Sequence, residues 1–402
     1  MQNVYLISEN SGLLERLDQL FDPDEWKVTF IGGSRSNFRK YPNFVGILNS
    51  SQNSFVQNLL LQRELLESIE GLVIFGSDSE MRELAESNVE LWIKKKLLPT
   101  QNPFGFQIFD SKIGFAQITA QLGVQTPPQS VVHSEFEVDD FLSKVSPPVL
   151  IKGDRGGGGA FITPINSLNE DERTKINKFQ YPFVIQQMIE GEQIAIEVFY
   201  WNGELTGYIY NQEIEDMNLY GPSFHRVPST PRVLDFLDAL RLMGTGLSMH
   251  GLVNCTFMFD AKTQTHHLVE FDTRPNVWHH LAPLLGLNAT KLFSKPITQT
   301  VETNVSAFRL ISLGRFTQFV FTERNKKAWI SFFRAIFDSD SFCIEVASCL
   351  PTKKLRYVTR RAPRFLVHTA LLQGFRALPK GVQAPFKNRK ITARVSSRIL
   401  GN

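Results

Sequence analysis

Pro148 to Thr163 reads PVLIKGDRGGGGAFIT. An apolar run ends on Lys152, passes through a short polar step into four consecutive glycines, Gly156, Gly157, Gly158 and Gly159, and continues as a second apolar run from Ala160 to Pro164. Four adjacent glycines forfeit a large amount of backbone entropy, so they belong where side chains cannot be tolerated. A lysine at the end of the first strand aims a cation at whatever the loop covers, and the glycine N–H groups add an anion-friendly concavity. The stretch is not a Walker P-loop, because no GK[ST] follows and a strand rather than a helix comes next. Strand, lysine, glycine loop and strand predict a hairpin, and the obvious ligand for its cation and N–H groups is a nucleotide triphosphate.

Around this stretch, 402 residues predict two or three domains with ample core. Hydrophobic residues make up 42% and charged residues 21%, which suits a globular chain rather than a disordered one. No run of about 18 apolar residues predicts a membrane span, and MQNVYLISENSG lacks the basic and apolar segments of a secretory leader. Three cysteines, Cys255, Cys343 and Cys349, contain no CxxC pair, which argues against a disulfide framework and a zinc ribbon and for a reducing cytoplasm. The net charge of +3 is unevenly spread. From Thr303 onward there are 19 Lys or Arg against 4 Asp or Glu, or +15, leaving −12 on the preceding part.

In chain order, residues 2–8 and 27–32 read as short buried strands, with LLERLDQLF after the first at helical spacing. Leu72 to Phe75 predicts a further strand, ending in Gly-Ser-Asp and opening into a helix that Ser79 could cap. Strands alternating with helices predict a parallel, Rossmann-like α/β sheet, and the missing GxGxxG after the first strand disfavours NAD. Asp78 stands at a strand end where ligands collect, or simply starts a helix.

The strongest constellation is HGLVNCTFMFDAKTQTHHLVEFDTRPNVWHH, from His250 to His280. It predicts a strand, a turn at Asp260 to Thr265, and a second strand ending in Glu270, Phe271, Asp272, Thr273 and Arg274. Alternation puts Glu270 and Asp272 on one face about 7 Å apart, with Arg274 next in the row. Two carboxylates that close repel unless cations lie between them. Magnesium takes carboxylate oxygens together with nucleotide phosphates, so one or two Mg2+ ions are expected here, with Mn2+ as a substitute. His266, His267, His279 and His280 lack HExxH spacing, which disfavours zinc.

In their order and spacing, these pieces resemble the ATP-grasp superfamily, above all carboxylate-amine ligases, the large chain of carbamoyl-phosphate synthetases and D-aspartate-ligase-like members. Asp110, Lys112, a helix, Gly123, Val124, Thr126 and Pro127 are similar to the entry of that domain, which implies that Lys112 and Lys152 reach the phosphates of ATP. The strand Gln186, Gln187, Met188 and Ile189 matches the hinge that presents its backbone to adenine, and Gln193 stands where an acid usually holds the ribose. Glu197 on the same strand reads by itself as a surface acid. The segment 211–230 matches the substrate-facing loop, which makes Ser223, His225, Arg226 and, beyond the acidic strand, Asn276 candidates for binding an acidic acceptor. Glu270, Asp272 and Arg274 resemble E-x-N-x-R, implying metal binding by the first two and stabilisation of the transferring phosphoryl by Arg274. Asp272 replaces an asparagine, and Thr256 stands where most members carry a Glu or Gln metal ligand, which puts a second magnesium in doubt.

The resemblance implies an α/β architecture in three parts: a Rossmann-like preATP-grasp domain (1–103), a two-lobed ATP-grasp core (104–302) and a basic, mainly helical extension (303–402). It implies a ligase that phosphorylates a small-molecule carboxylate with ATP and passes the acyl group to an amine. Carboxyphosphate chemistry, simple phosphoryl transfer and non-catalytic nucleotide binding are the alternatives. In the extension, Trp329, Phe332, Phe333, Ile336 and Phe337 fall on one helical face beside Lys326, Lys327 and Arg334, and a second candidate runs from Arg364 to Leu378. Such a face packs on a neighbouring domain or lies on an anionic membrane at the inner face of the cell. Nucleic acid is not expected, and a homodimer is.

Overall fold

A computed structural model of the chain describes residues 1–9, 12–14, 17–33, 39, 41–48, 52–157, 159, 161–216, 223–276, 278–293, 308–312, 341–345 and 357–359. It divides into two compact units: residues 1–210 with 230–304, and residues 211–229 with 305–402.

The first unit begins with a parallel sheet of β1 (Gln2–Ser8), β2 (Trp26–Gly33), β3 (Phe44–Ile47) and β4 (Leu72–Phe75), in the order β3-β2-β1-β4. All four residues of β4 are buried, as expected for a parallel strand covered on both faces. Helices α1 (Phe55–Leu60), α2 (Arg63–Ser68), α3 (Asp78–Glu86) and α4 (Leu91–Leu97) lie around β4 in the chain. The expected helix after β1 is instead two short 3-10 turns, Gly12–Leu14 and Leu17–Leu20. Leu14, Leu17 and Leu20 are buried at a spacing of three, the period at which side chains eclipse in a 3-10 turn. Helix α3 starts two residues earlier than expected, with Ser77 rather than Ser79 in the cap position.

Helix α5 (Lys112–Leu122) follows, its start capped by Ser111 and its end set by Gly123 at φ 65. At Gly114 an added Cβ would lie 1.8 Å from the Gln107 carbonyl oxygen. Gly114→Ala therefore lowers stability by about 3 kcal/mol, read from the denaturant midpoint.

Beyond α5 comes a small lobe of β5 (Gln129–Val132), α6 (Glu135–Lys144), β6 (Val149–Lys152), β7 (Ile162–Ile165), α7 (Glu170–Ile176) and β8 (Phe183–Gln187). Its sheet is antiparallel in the order β5-β8-β6-β7. The lobe has a hydrophobic core of its own, including Val138, Phe141, Ile151, Ile165 and Phe183. The glycine run therefore sits at the tip of the β6–β7 hairpin, where Lys152 pairs with Ile162.

A larger antiparallel sheet is built from β9 (Glu192–Trp201), β10 (Glu204–Asp216), β12 (Gly251–Asp260) and β13 (Thr265–Asp272), ordered β13-β12-β9-β10 as far as this unit extends. Asn202 and Gly203, both at positive φ, make the tight β9–β10 turn. One face, with Ile194, Ile196, Val198, Cys255, Phe257 and Phe271, packs with α8 (Phe236–Leu247) into a core that also takes residues of the parallel sheet. Helix α9 (Ala289–Phe293) closes the unit over Phe199 and Leu252.

In the second unit, β11 (Ser223–Pro228) pairs with residues 211–216 of β10 and with β14 (Phe308–Ser312). Strands β15 (Ser341–Glu345) and β16 (Tyr357–Thr359) continue the pairing. The segment expected as a substrate-facing loop is thus largely a β-hairpin. The helical faces at 329–337 and 364–378 lie outside the described residues. Among the described residues, no helix is long and apolar enough to cross a membrane.

Candidate nucleotide and metal site

The site is built on the face of the large sheet opposite the core. Cross-strand pairing aligns Glu197, Asn254 and Asp272 in one row and Ala195, Thr256 and Glu270 in the next. Simple alternation from buried Leu268 would turn Glu270 towards the core. A register shift intervenes, since Thr256 faces Glu270 while Phe257 faces Leu268, and the bulge at Val269 turns Glu270 and Asp272 to the open face. Bulges re-aim side chains in this way beside functional sites. Gln193, paired with Met258, falls on the same face by alternation.

Glu270 opens to solvent, and its carboxyl is pushed up to about 7, first by the negative charge of Asp272 and then by the surrounding protein. Thr256 donates its hydroxyl to Glu270 Oε2 at 3.3 Å. Arg274 Nη2 lies 3.0 Å from Asp272, and its Nε donates to Asp78 at the start of α3. Burial pulls this guanidinium down, but Asp272 and Asp78 outweigh it and hold its pKa above the ordinary value. Burial raises Asp78 to about 6, with Arg274 acting in opposition. Glu197, read from sequence as a surface acid, is buried at 1% exposure in the row beside Asn254 and Asp272. Strand β9 is buried on both of its faces from Ile194 to Tyr200, so the site-face position of Glu197 is covered as well.

Lys152 is 8% exposed, and burial lowers its pKa to about 8. The negative charge of Glu270 resists that fall and the positive charge of Lys112 adds to it, so all three groups share one electrostatic field. Lys112 Nζ donates to the Gly156 carbonyl at 2.7 Å. Asp154, which sequence reasoning passed over, fastens the loop to α5: its Oδ1 accepts from Ser111 Oγ at 2.7 Å and from the Ile113 N–H at 3.0 Å. Gly156 and Gly159 have φ of 107 and 79, conformations that side chains rarely adopt. Gly157 has open space around it, and Gly158 lies outside the described residues.

The remaining candidates distribute less neatly. The N–H groups of Gln187 and Met188 donate to Pro128 and Pro148 carbonyls, which takes those two donors out of any contact with a base. Gln186 is buried and donates to Gln129 at 2.7 Å. Gln187 and Ile189 line a cavity of about 580 Å³ together with Gln125, Thr126 and His267. Ser223, His225 and Arg226 lie on β11 in the second unit, where buried Arg226 donates to Ser223 Oγ at 2.8 Å. Asn276, buried, donates to Asn254 Oδ1 at 3.1 Å. His279 Nδ1 accepts from the Asn276 N–H, which leaves Nε2 to donate to the Val253 carbonyl and marks a neutral core histidine.

A polar cavity of about 810 Å³ opens where β1 and β4 end, lined by Ser8, Gly76, Ser77, Ser79, Glu80, Glu83 and others. Burial raises Glu80 to about 7, although the Glu9 N–H and Ser8 hydroxyl donate to its Oε1.

Among the described residues, no group of three or more His, Cys, Asp or Glu side chains is placed to hold a metal. A cation on Glu270 and Asp272 would thus take one or two protein carboxylates and complete its shell with phosphate oxygens and water. That is the habit of magnesium.

No family model matches the chain. It is 26% identical over 232 residues to the carbamoyl-phosphate synthase of Methanobrevibacter smithii, a match spanning 55% of this chain and 61% of that protein's length. The N5-carboxyaminoimidazole synthetase of Staphylococcus aureus, solved with ADP, superposes with a TM-score of 0.55 at 14% identity over 75% of this chain and 80% of its own. The biotin carboxylase domain of Hydrogenobacter thermophilus 2-oxoglutarate carboxylase, solved as a dimer with MgADP and bicarbonate, gives 0.53 at 14% identity over 74% and 71%. With its glycine hairpin on one small lobe and its acidic strand end on the larger sheet, the chain adopts the fold of the ATP-grasp ligases and is related in sequence to a carbamoyl-phosphate synthase.

Proposed function

We propose that the chain is an ATP-dependent ligase that activates a small carboxylate by phosphorylation and transfers the resulting acyl group to an amine. One observation carries this reading: Lys152, Lys112 and Glu270 act on each other electrostatically, although they come from the glycine hairpin, helix α5 and strand β13. Cations and carboxylates that share one electrostatic field suit a Mg2+-triphosphate, whose phosphates would meet the lysines and whose cation would meet the carboxylates. The relatives' complexes with ADP and MgADP support the same ligand.

In this reading Lys112, Lys152 and the loop N–H groups hold the phosphates. Glu270 and Asp272 hold Mg2+, which neutralises charge on the β- and γ-phosphates. Gln193 and Met258, on the same face, suit the ribose and the base. Arg274 stabilises the phosphoryl group as it passes from ATP to the carboxylate oxygen, where charge develops. The amine then attacks the acyl carbon, forming the C–N bond and expelling phosphate. The loop must exclude water while the acyl phosphate exists. The acidic cavity beside Asp78, with Glu80, Glu83 and Glu86 against Arg82, suits a cationic or hydroxyl-bearing amine acceptor.

Bicarbonate is the second reading for the carboxylate, favoured by the carbamoyl-phosphate synthase relative and by the neighbour solved with bicarbonate. ADP release assayed with MgATP and bicarbonate, then with amino acids and amines, separates the two. Release stimulated by bicarbonate alone supports carboxyphosphate, release requiring another carboxylate supports the ligase, and ATP binding without release under any condition contradicts both.

The reading places the chain in the cytoplasm, as a homodimer. The +15 charge after residue 302 supports contact with an anionic surface. Cosedimentation with phosphatidylserine vesicles that is lost in about 0.5 M salt checks that contact.

A further inference from the structure

Three residues of α3 stand four apart, at 78, 82 and 86, and therefore on one helical face. Each reaches a different part of the candidate site. Asp78 accepts from Arg274 Nε, across 196 residues of sequence. Arg82 Nη1 lies 2.5 Å from Asp110, the residue at φ 53 that leads into Ser111 and Lys112. Glu86 lies 3.4 Å from Arg155, within the glycine hairpin. The helix is itself immobilised, with Met81 and Leu84 fully buried in the main core on its other side.

We infer that this charged stripe on α3 is a positioning device that sets the phosphoryl-stabilising arginine, the phosphate lysine and the glycine hairpin from one rigid edge of the N-terminal sheet. The inference rests on the nucleotide reading given above. Asp78, Arg82 and Glu86 are positioning residues, since each acts through another side chain.

The stripe is graded. The side chains of Asp78 and Arg274 are 21% and 19% exposed, and Arg274 has Asp272 as its other carboxylate partner. A cation on Asp272 would compete for that partner, leaving Asp78 to keep the guanidinium aimed. Arg82 and Asp110 are similarly sheltered, at 24% and 22%. Glu86 and Arg155 are 60% and 56% exposed, and an exposed pair contributes little. The tightest contact thus fixes the arginine, and the loosest holds the hairpin that has to open for nucleotide entry.

The grading predicts distinct kinetic signatures along one helix. Asp78→Ala lowers kcat for MgATP turnover by about 30- to 100-fold and leaves the MgATP dissociation constant within about threefold, because a misaimed catalytic group loses rate before affinity. Asp78→Glu, which keeps the charge, restores at least about tenfold of that loss. Arg82→Ala weakens MgATP binding, titrated in the absence of any acceptor, by about tenfold, since it loosens the start of α5. Calorimetric titration of MgATP and ADP release are measured on the full chain, with circular dichroism and thermal melting as folding controls. If Asp78→Ala leaves kcat intact, or if kcat, affinity and melting temperature fall together in every variant, the stripe is only structural and the inference is overturned. A wild-type chain that binds no MgATP overturns the reading of the site and the inference with it.

Discussion

Lys152→Met should abolish turnover while making the protein harder to melt. The ammonium is the buried end of β6, and burial lowers its pKa from 10.5 to about 8. A lysine held in that state costs about 3 kcal/mol of stability while charged. The sign follows from proton binding: between these two values the unfolded chain binds more protons than the folded one. The cost is therefore fully present below pH 8, shrinks as pH rises and is gone above 10.5. Methionine fills the same channel without a charge, so the variant melts higher than wild type at neutral pH, and the gap narrows towards about pH 9.5. Turnover falls by about 10³-fold, the scale on which removing a preorganised electrostatic contact acts. Thermal melts at the two pH values and an ADP-release assay check both halves. A variant that melts lower than wild type at neutral pH would show that Glu270 compensates the buried charge more than burial penalises it.

The second large effect falls on the acidic strand end. Glu270→Gln removes half of a close carboxylate pair while keeping shape and an oxygen, so the fold survives and the cation binds more weakly. Turnover at about 1 mM Mg2+ falls by about 10²-fold or more, and the Mg2+ concentration for half-maximal rate rises at least about tenfold. Asp272 and the surrounding protein raise the Glu270 carboxyl to about 7, so in wild type Mg2+ must displace a proton below that pH. The apparent Mg2+ affinity should fall about fivefold on going from about pH 7 to about pH 6, and this dependence should vanish in Glu270→Gln. Rates across a Mg2+ and pH grid read both outcomes. A wild-type Mg2+ requirement indifferent to pH would place the metal elsewhere.

Much of the architecture was readable from local pattern. The parallel strands at the N-terminus, the β6–β7 hairpin and the β12–β13 pair are runs whose apolar content and flanking turns suffice to place them. What escaped reading depends on contacts distant in sequence or on a change of period. The bulge at Val269 leaves no mark in composition, yet it decides which face Glu270 takes. Asp78 meets Arg274 only because β4 delivers α3 to the strand end, 196 residues away. Asp154 stands in the polar step before the glycines with nothing nearby in sequence to mark it, and only the approach of α5 makes it a clamp. Glu197 looked like a surface acid because a lone glutamate in a strand has no neighbour in sequence to explain its burial. The adenine hinge was placed by resemblance on a strand whose Gln187 and Met188 N–H groups are already paired, a fact visible only when Pro128 and Pro148 come alongside.

A crystal structure of the full chain with MgADP and an unreactive phosphate analogue tests the account most directly. The account predicts phosphate oxygens within hydrogen-bonding distance of Lys152 Nζ and, on the same nucleotide, a cation bound by Glu270 or Asp272. A nucleotide whose phosphates touch only one of these groups, or that lies away from both, would contradict it.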